Sequence, residues 1–150
     1  MEIKLPNWSP RKDSEMRVAS ALVLVQAILN VSEQMVQSHL RDSLSIAIWK
    51  YTECDGKYTT RFRSRGAIEN PKGKLNHEHV VTRKSLIDEL LVTPNEFETI
   101  MAKAVACTVL TSEHALLRSV EKDNSALVGW QRYRAAGIEV YDLAEQRLLF

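Results

Sequence analysis

Residues 16–29 read MRVASALVLVQAIL and contain the longest apolar run of the chain. The apolar side chains recur at the spacing of one helix face, at Val18, Ala21, Leu22, Val25, Ala27, Ile28 and Leu29. Asp13 or Ser14 is suited to cap the first turn. Because the apolar stripe is wide, the pattern predicts a central helix that is covered on several sides.

A second amphipathic helix follows directly. Asn30 marks a stop, and Ser32 with Glu33 offers a new helix start. The apolar face of this second helix carries Val36, Leu40, Leu44, Ala47, Ile48 and Tyr51. A short link between two helices predicts an antiparallel pair, so the first third of the chain should form a helical hairpin on which the core is built.

The middle of the chain indicates a strand followed by a loop. Asp55-Gly56 is a strong turn signal. In the residues that follow, one set of side chains alternates with a largely cationic set, which predicts a strand with one cationic face: Tyr58, Thr60 and Phe62 against Lys57, Thr59, Arg61 and Arg63. Residues 64–74 contain two glycines and a proline, which predicts a loop.

The remaining residues predict short helices alternating with short strands. The expected features are a helix capped by Thr82, a capping box at Thr93-Pro94-Asn95-Glu96, a strand over 106–110, a helix opening at Thr111, a helix over 125–136 closed by Gly137, and a last helix capped by Asp142. The predicted class is therefore α+β and helix-rich, with two long N-terminal helices and a small sheet with short helices after it.

Length and composition predict one domain over residues 1–150, with residues 1–12 as an extended N-terminal arm around Trp8. An apolar fraction of 45% and a charged fraction of 26% are those of a globular protein. No apolar run approaches the roughly 20 residues of a membrane helix, so no membrane partner is expected. Cys54 and Cys107 follow no disulfide or zinc pattern, which favours two reduced thiols and a cytoplasmic location.

Positive charge is concentrated in residues 49–84, which hold nine Lys and Arg against four acidic residues. Such a cluster attracts a polyanion, although a solvated loop has the same composition. If RNA or DNA is the partner, the expected phosphate-binding residues are Arg61, Arg63, Lys74 and Lys84.

His77-Glu78-His79 ends this basic segment and holds two of the four histidines. In a strand the two imidazoles would share one face while Glu78 points to the other. Histidine is the usual proton-transfer group and metal ligand at neutral pH, so His79, His77 and Glu78 are the candidate catalytic residues. A packed, hydrogen-bonded histidine pair is the structural alternative.

Glu78-His79-Val80-Val81 also resembles the first motif of the ββα-metal, or HNH-like, nucleases. The resemblance implies a nuclease in which Glu78 binds a divalent metal and His79 activates water. It also implies a later histidine ligand, for which His114 is the candidate. Thr82 stands where proline is usual, and the gap from Asn95 to His114 is longer than the motif normally has.

Two further functions remain open. A ribonuclease that uses the RNA 2′-hydroxyl needs no metal, but it needs a base, an acid and cationic groups, which this segment also supplies. The alternative from another class is a non-enzymatic binding module of the immunity, antitoxin or defence-accessory type, which would hold a protein partner through its basic face or exposed aromatics.

Overall fold

A computed structural model describes residues 2–150. Its elements in chain order are α1 (Ser14–Asn30), α2 (Gln37–Thr52), β1 (Phe62–Ser64), α3 (Arg65–Glu69), β2 (Leu75–His79), α4 (Arg83–Val92), α5 (Phe97–Met101), β3 (Ala106–Leu110), α6 (Thr111–Asp123), α7 (Trp130–Ala135), β4 (Val140–Asp142) and β5 (Arg147–Leu148). Short 3₁₀ turns at Ser32–Gln34 and Pro94–Glu96 precede α2 and α5. The α+β class and the two long N-terminal helices are confirmed.

The chain forms two compact units. The helical unit consists of Arg11–Asp55 and Val81–Val105, and the sheet unit consists of the N-terminal residues up to Pro10 together with Gly56–Val80 and Ala106–Phe150.

The helical unit packs α1, α2, α4 and α5 around one apolar core. Its fully buried side chains include Val25, Leu40, Leu44, Ile48, Leu86, Leu90 and Met101. The expectation that α1 is covered on several sides was wrong, because only Ala21 and Val25 of that helix are buried. Met16 is 73% exposed and Val23 is 67% exposed, so part of the wide apolar stripe faces outward. Helix α2 contributes more to this core than α1, because four positions of its narrower stripe are buried there, at Leu40, Leu44, Ala47 and Ile48.

The sheet unit has five strands in the order β2-β3-β1-β4-β5, with β1 parallel to β3 and the other neighbours antiparallel. In this register Glu78 lies opposite Cys107, and α6 begins directly after β3. Helix α6 packs against β2 and β3. The N-terminal arm contacts this unit, since Nε1 of Trp8 donates to the carbonyl of Thr59 at 2.9 Å.

The predicted strand over 57–63 is much shorter than expected. The backbone N–H of Thr108 donates to the hydroxyl of Thr60 at 3.1 Å, so a side chain takes the place of a ladder partner before β1 begins. The predicted loop over 64–74 contains α3, because Ser64 accepts from the backbone N–H of Ala67 and caps a short helix.

The predicted C-terminal helix is a hairpin of β4 and β5. Oδ1 of Asp142 accepts from the N–H groups of Ala144 and Glu145, which forms a turn rather than a helix cap. The helix predicted over 125–136 is shorter in the structure and is confined to α7. It starts after Gly129, whose φ is 56°. Gly137, whose φ is 70°, follows its last turn, as expected for a glycine closing a helix.

The helix cap predicted at Thr82 is present, whereas those predicted at Thr93 and Asp13 are not. Thr82 caps α4 by accepting from the N–H of Ser85. Thr93 forms no capping box, because its hydroxyl donates to the carbonyl of Glu89. Asp13 binds Arg17 instead of capping α1.

Candidate functional site

Strand β2 divides the His-Glu-His triplet between the two faces of the sheet. His77 and His79 share one face, as predicted, with ring centroids 5.3 Å apart in an edge-to-face arrangement. Both are buried, at 6% exposure, and Nδ1 of His77 donates to the carbonyl of Lys57 at 2.6 Å. Glu78 lies on the opposite face, so the three residues do not converge on one site.

Glu78 instead meets His114, which lies 36 residues further along the chain. Helix α6 presents His114 in its first turn, and Glu113 fixes that turn by accepting from the N–H of Leu110 and from the hydroxyl of Ser64. Nδ1 of His114 donates to Oε2 of Glu78. A carboxylate only accepts hydrogen bonds, so the proton of a neutral His114 sits on Nδ1 and the lone pair sits on Nε2. The His114 side chain is 29% exposed, against 12% for Glu78.

Arg132 completes this cluster from α7. One terminal nitrogen, Nη2, donates to the carbonyls of His79 and Val80 at 2.9 and 2.7 Å, and the other, Nη1, lies 3.8 Å from Oε1 of Glu78. Glu121 lies 3.7 Å from the same Nη1 atom. The Arg132 side chain is only 2% exposed, so the guanidinium supports the end of β2 and the Glu78 carboxylate and does not face solvent.

A second polar link joins β2 to α6 one turn before His114. The hydroxyl of Thr111 donates to Oδ1 of Asn76 at 2.8 Å, and Asn76 shares the Glu78 face of β2 because it lies two residues earlier. Two side-chain links therefore hold β2 against the first turn of α6, and they fix the position of His114.

Cys107 lies opposite Glu78 on β3, and Tyr133 lies close to Cys107. Burial, and then the nearby carboxylates of Glu113 and Glu78, raise the pKa of the Cys107 thiol well above its usual value. Burial and the neighbouring Cys107 likewise raise the pKa of Tyr133. The Tyr133 hydroxyl makes no hydrogen bond of normal geometry, although it lies close enough to Cys107 to affect that thiol. Both groups are enclosed, and the raised pKa values favour the neutral thiol and phenol over a nucleophilic thiolate or phenolate.

The predicted phosphate-binding residues do not form one group. Arg61 donates twice to Asp142, at 2.8 and 2.7 Å, and Arg63 donates to the carbonyl of Tyr58 from a half-buried position where desolvation lowers its pKa. Lys84 belongs to the helical unit and pairs with Asp88. Only Lys74 combines exposure with proximity to the cluster, because its carbonyl accepts from the N–H of Thr111 at 2.9 Å.

The two predicted metal ligands, Glu78 and His114, do come together, but their surroundings do not fit a divalent cation. The Arg132 guanidinium lies against the Glu78 carboxylate and would repel a second positive charge. Residues 2–150 provide no group of three or more His, Cys, Asp or Glu side chains arranged around one point. His79, the base implied by the HNH-like resemblance, faces away from Glu78.

Sequence inspection missed Arg132, Asn76 and Thr111. Arg132 lies in a short helix between Gln131 and Tyr133, and no motif marks it. The pairing of Asn76 with Thr111 and of Glu78 with His114 depends on how α6 packs on β2, which local sequence does not encode. His114 itself was found only through the HNH-like resemblance.

Comparison with known proteins identifies no relative. No family model, no curated protein and no solved structure matches the chain. No helix within residues 2–150 is long and apolar enough to cross a bilayer.

Proposed function

We propose that the protein is a metal-independent ribonuclease in which His114 is the general base and Glu78 is its positioning residue. One observation carries this proposal, the hydrogen bond from Nδ1 of His114 to Glu78. It holds the ring in the tautomer whose Nε2 accepts a proton, and within residues 2–150 that nitrogen has no hydrogen-bond partner. An imidazole oriented by a carboxylate is the usual form of a histidine base.

In the proposed reaction Nε2 removes the proton of an RNA 2′-hydroxyl, and the 2′-oxygen attacks the adjacent phosphorus. The bond from phosphorus to the 5′-oxygen breaks, and the leaving 5′-oxygen takes a proton from water. The products are a 2′,3′-cyclic phosphate and a 5′-hydroxyl end. The proton on Nε2 then returns to solvent, so the proposed reaction needs no metal or cofactor.

The surrounding residues hold the base in place during this step. Arg132 connects the Glu78 carboxylate to the carbonyl end of β2, and Asn76 with Thr111 fixes the first turn of α6. A base held in one orientation lowers the entropic cost of reaching the reactive geometry. In this proposal His114 takes the role that the sequence suggested for His79, which is enclosed with His77 on the opposite face of β2.

The direct test measures cleavage of a fluorescent single-stranded RNA and of the matching DNA by His114→Gln, with His39→Gln as the matched control. His39 is an exposed histidine of α2 in the helical unit. We expect His114→Gln to lower the rate about 10²- to 10⁴-fold with an unchanged thermal midpoint, and His39→Gln to leave the rate unchanged. Cleavage of RNA should persist in chelator, and the DNA should stay intact because it lacks the 2′-hydroxyl.

Three results would contradict the proposal. Loss of activity in chelator would favour a metal-assisted nuclease, and equal cleavage of DNA would exclude the 2′-hydroxyl mechanism. Absence of RNA cleavage by the wild-type protein would favour the binding-module alternative.

A further inference from the structure

Helix α6 carries two exposed cations beyond His114. Arg118 lies four residues after His114 and Lys122 four residues after Arg118, a spacing that places each about one turn further along nearly the same side of the helix. Neither forms an ion pair with any of residues 2–150, whereas Arg61 and Arg65 of the same unit do.

These two cations line a surface depression of about 700 Å³ together with Ser119, Glu121 and Ser125. Its single acidic residue, Glu121, lies 3.7 Å from the buried Arg132, which offsets its charge. The depression therefore presents two unpaired cations and two hydroxyl groups, which are suited to hydrogen bonding with phosphate oxygens.

The backbone of Lys74 lies beside the start of α6, on the opposite side of His114 from Arg118. Its carbonyl accepts the N–H of Thr111, the first residue of α6, and its side chain is exposed. With a rise of about 1.5 Å per residue, Arg118 lies about 6 Å and Lys122 about 12 Å beyond His114 along the helix axis. Along α6 the backbone of Lys74 therefore precedes His114, and Arg118 and Lys122 follow it.

We propose that single-stranded RNA binds along α6, with Lys74, Arg118 and Lys122 holding successive stretches of its phosphate backbone and His114 facing the cleaved linkage. This inference rests on the proposed function and adds to it the single-stranded form of the substrate and its path along α6. A mononucleotide would use only one of these cations, whereas a polynucleotide uses all three. A flexible single strand can follow a line of cations. It also lets the 2′-oxygen align with the bond to be broken, which a stacked A-form duplex does not.

Binding is measured apart from cleavage with a fluorescently labelled 2′-O-methyl oligoribonucleotide, which has no 2′-hydroxyl to activate. Fluorescence anisotropy across a salt series compares the wild type with the double variant Arg118→Glu/Lys122→Glu. The matched control is Lys4→Glu/Arg147→Glu, which reverses two exposed cations elsewhere in the sheet unit. A duplex of the same sequence tests the preference for single strands.

We expect the α6 variant to weaken binding at least about tenfold at low salt. We also expect it to reduce the slope of log K against log salt by about 1.4, because each phosphate contact with a single strand contributes about 0.7. The control should bind as the wild type does, and the duplex should bind more weakly. An unchanged slope in the α6 variant, an equal loss in the control, or tighter binding of the duplex would overturn the inference.

The two proposals fail separately. If His114→Gln abolishes cleavage while the α6 variant still binds the 2′-O-methyl strand normally, the ribonuclease stands and the α6 path is wrong. If the α6 variant loses binding while His114→Gln still cleaves RNA, the path stands and the base is misassigned.

Discussion

Nδ1 of His114 donates a hydrogen bond to Oε2 of Glu78, and this contact joins the first turn of α6 to the penultimate residue of the edge strand β2. The two residues are far apart in sequence, and they meet because α6 follows β3 without a loop while β2 pairs antiparallel with β3. The ring orientation of His114 is therefore determined by the pairing of these two strands.

Replacement of Glu78 by Gln should slow RNA cleavage by between about 10- and 10⁴-fold. The amide lacks the negative charge that stabilises a protonated imidazole, and its NH₂ group can favour the wrong tautomer of His114. The measurement is kcat on single-stranded RNA, with Glu69→Gln as the control because Glu69 pairs with Arg65 on the surface of the same unit.

The thermal midpoint of Glu78→Gln must be followed in parallel, since Arg132 would lose one of its two carboxylate neighbours. A kcat equal to that of the wild type in a folded Glu78→Gln protein would remove Glu78 from the mechanism.

The ion pair between Arg61 and Asp142 should make the sheet unit sensitive to acid. The Arg61 guanidinium holds the pKa of Asp142 below its usual value of 3.8, and the N–H groups of Glu145 and Ala144 act in the same direction. A carboxyl whose folded-state pKa is lowered contributes stability above its unfolded pKa and loses that stability as pH falls through the folded value. The loss should therefore appear below about pH 4.

Asp142→Asn tests this assignment. Its free energy of unfolding should fall by about 1.5–3 kcal/mol at neutral pH, as for a hydrogen bond to a charged group, and should depend less on pH below 4 than that of the wild type. Asp88→Asn is the comparison, because the pKa of Asp88 is also lowered but its carboxylate is 47% exposed and should contribute less. Identical acid profiles for wild type and Asp142→Asn would show that other groups cause acid unfolding.

The sequence predicted the elements whose signals are local. The stripe of α2, the cap at Thr82, the strand over 106–110 and the glycine closure at Gly137 are each encoded within a few residues, and each is present. The alternation of His77, Glu78 and His79 across β2 follows from strand geometry alone.

The remaining features depend on contacts between distant residues. Asp142 can cap a helix or close a turn, and its pairing with Arg61 accompanies the turn. The apolar stripe of α1 is typical of a central helix. Burial nevertheless depends on which elements pack against the helix, and Val23 stays exposed. The candidate site could not be predicted from local sequence for the same reason, since the partners of Glu78 come from α6 and α7 rather than from its own strand.

The difference in burial between α1 and α2 gives a stability prediction. Leu44→Ala should lower the free energy of unfolding by about 2–5 kcal/mol, because Leu44 is fully buried in the helical unit and truncation leaves a cavity. Val23→Ala in α1 should change it by no more than about 0.5 kcal/mol, because Val23 is 67% exposed. Urea unfolding followed by circular dichroism gives both values, and a large loss for Val23→Ala would show that the outer face of α1 is covered in solution.

Cys107 gives the last prediction, because it is fully buried opposite Glu78 in the β2–β3 pair and its pKa is raised well above the ordinary value. Thiol reagents attack the thiolate, so the native protein should protect Cys107 both by enclosure and by keeping it protonated. Cys54 is half-buried, and burial also raises its pKa, so it should react slowly but without unfolding.

The Cys54→Ser variant isolates Cys107 for this measurement with a chromogenic disulfide reagent. Its labelling rate should be close to zero in native buffer and should rise with urea in parallel with the unfolded fraction seen by circular dichroism. Rapid labelling of native Cys54→Ser protein would mean that the surroundings of Cys107 open without global unfolding. Cys107 would then become a candidate nucleophile beside His114, and the base-only mechanism would need revision.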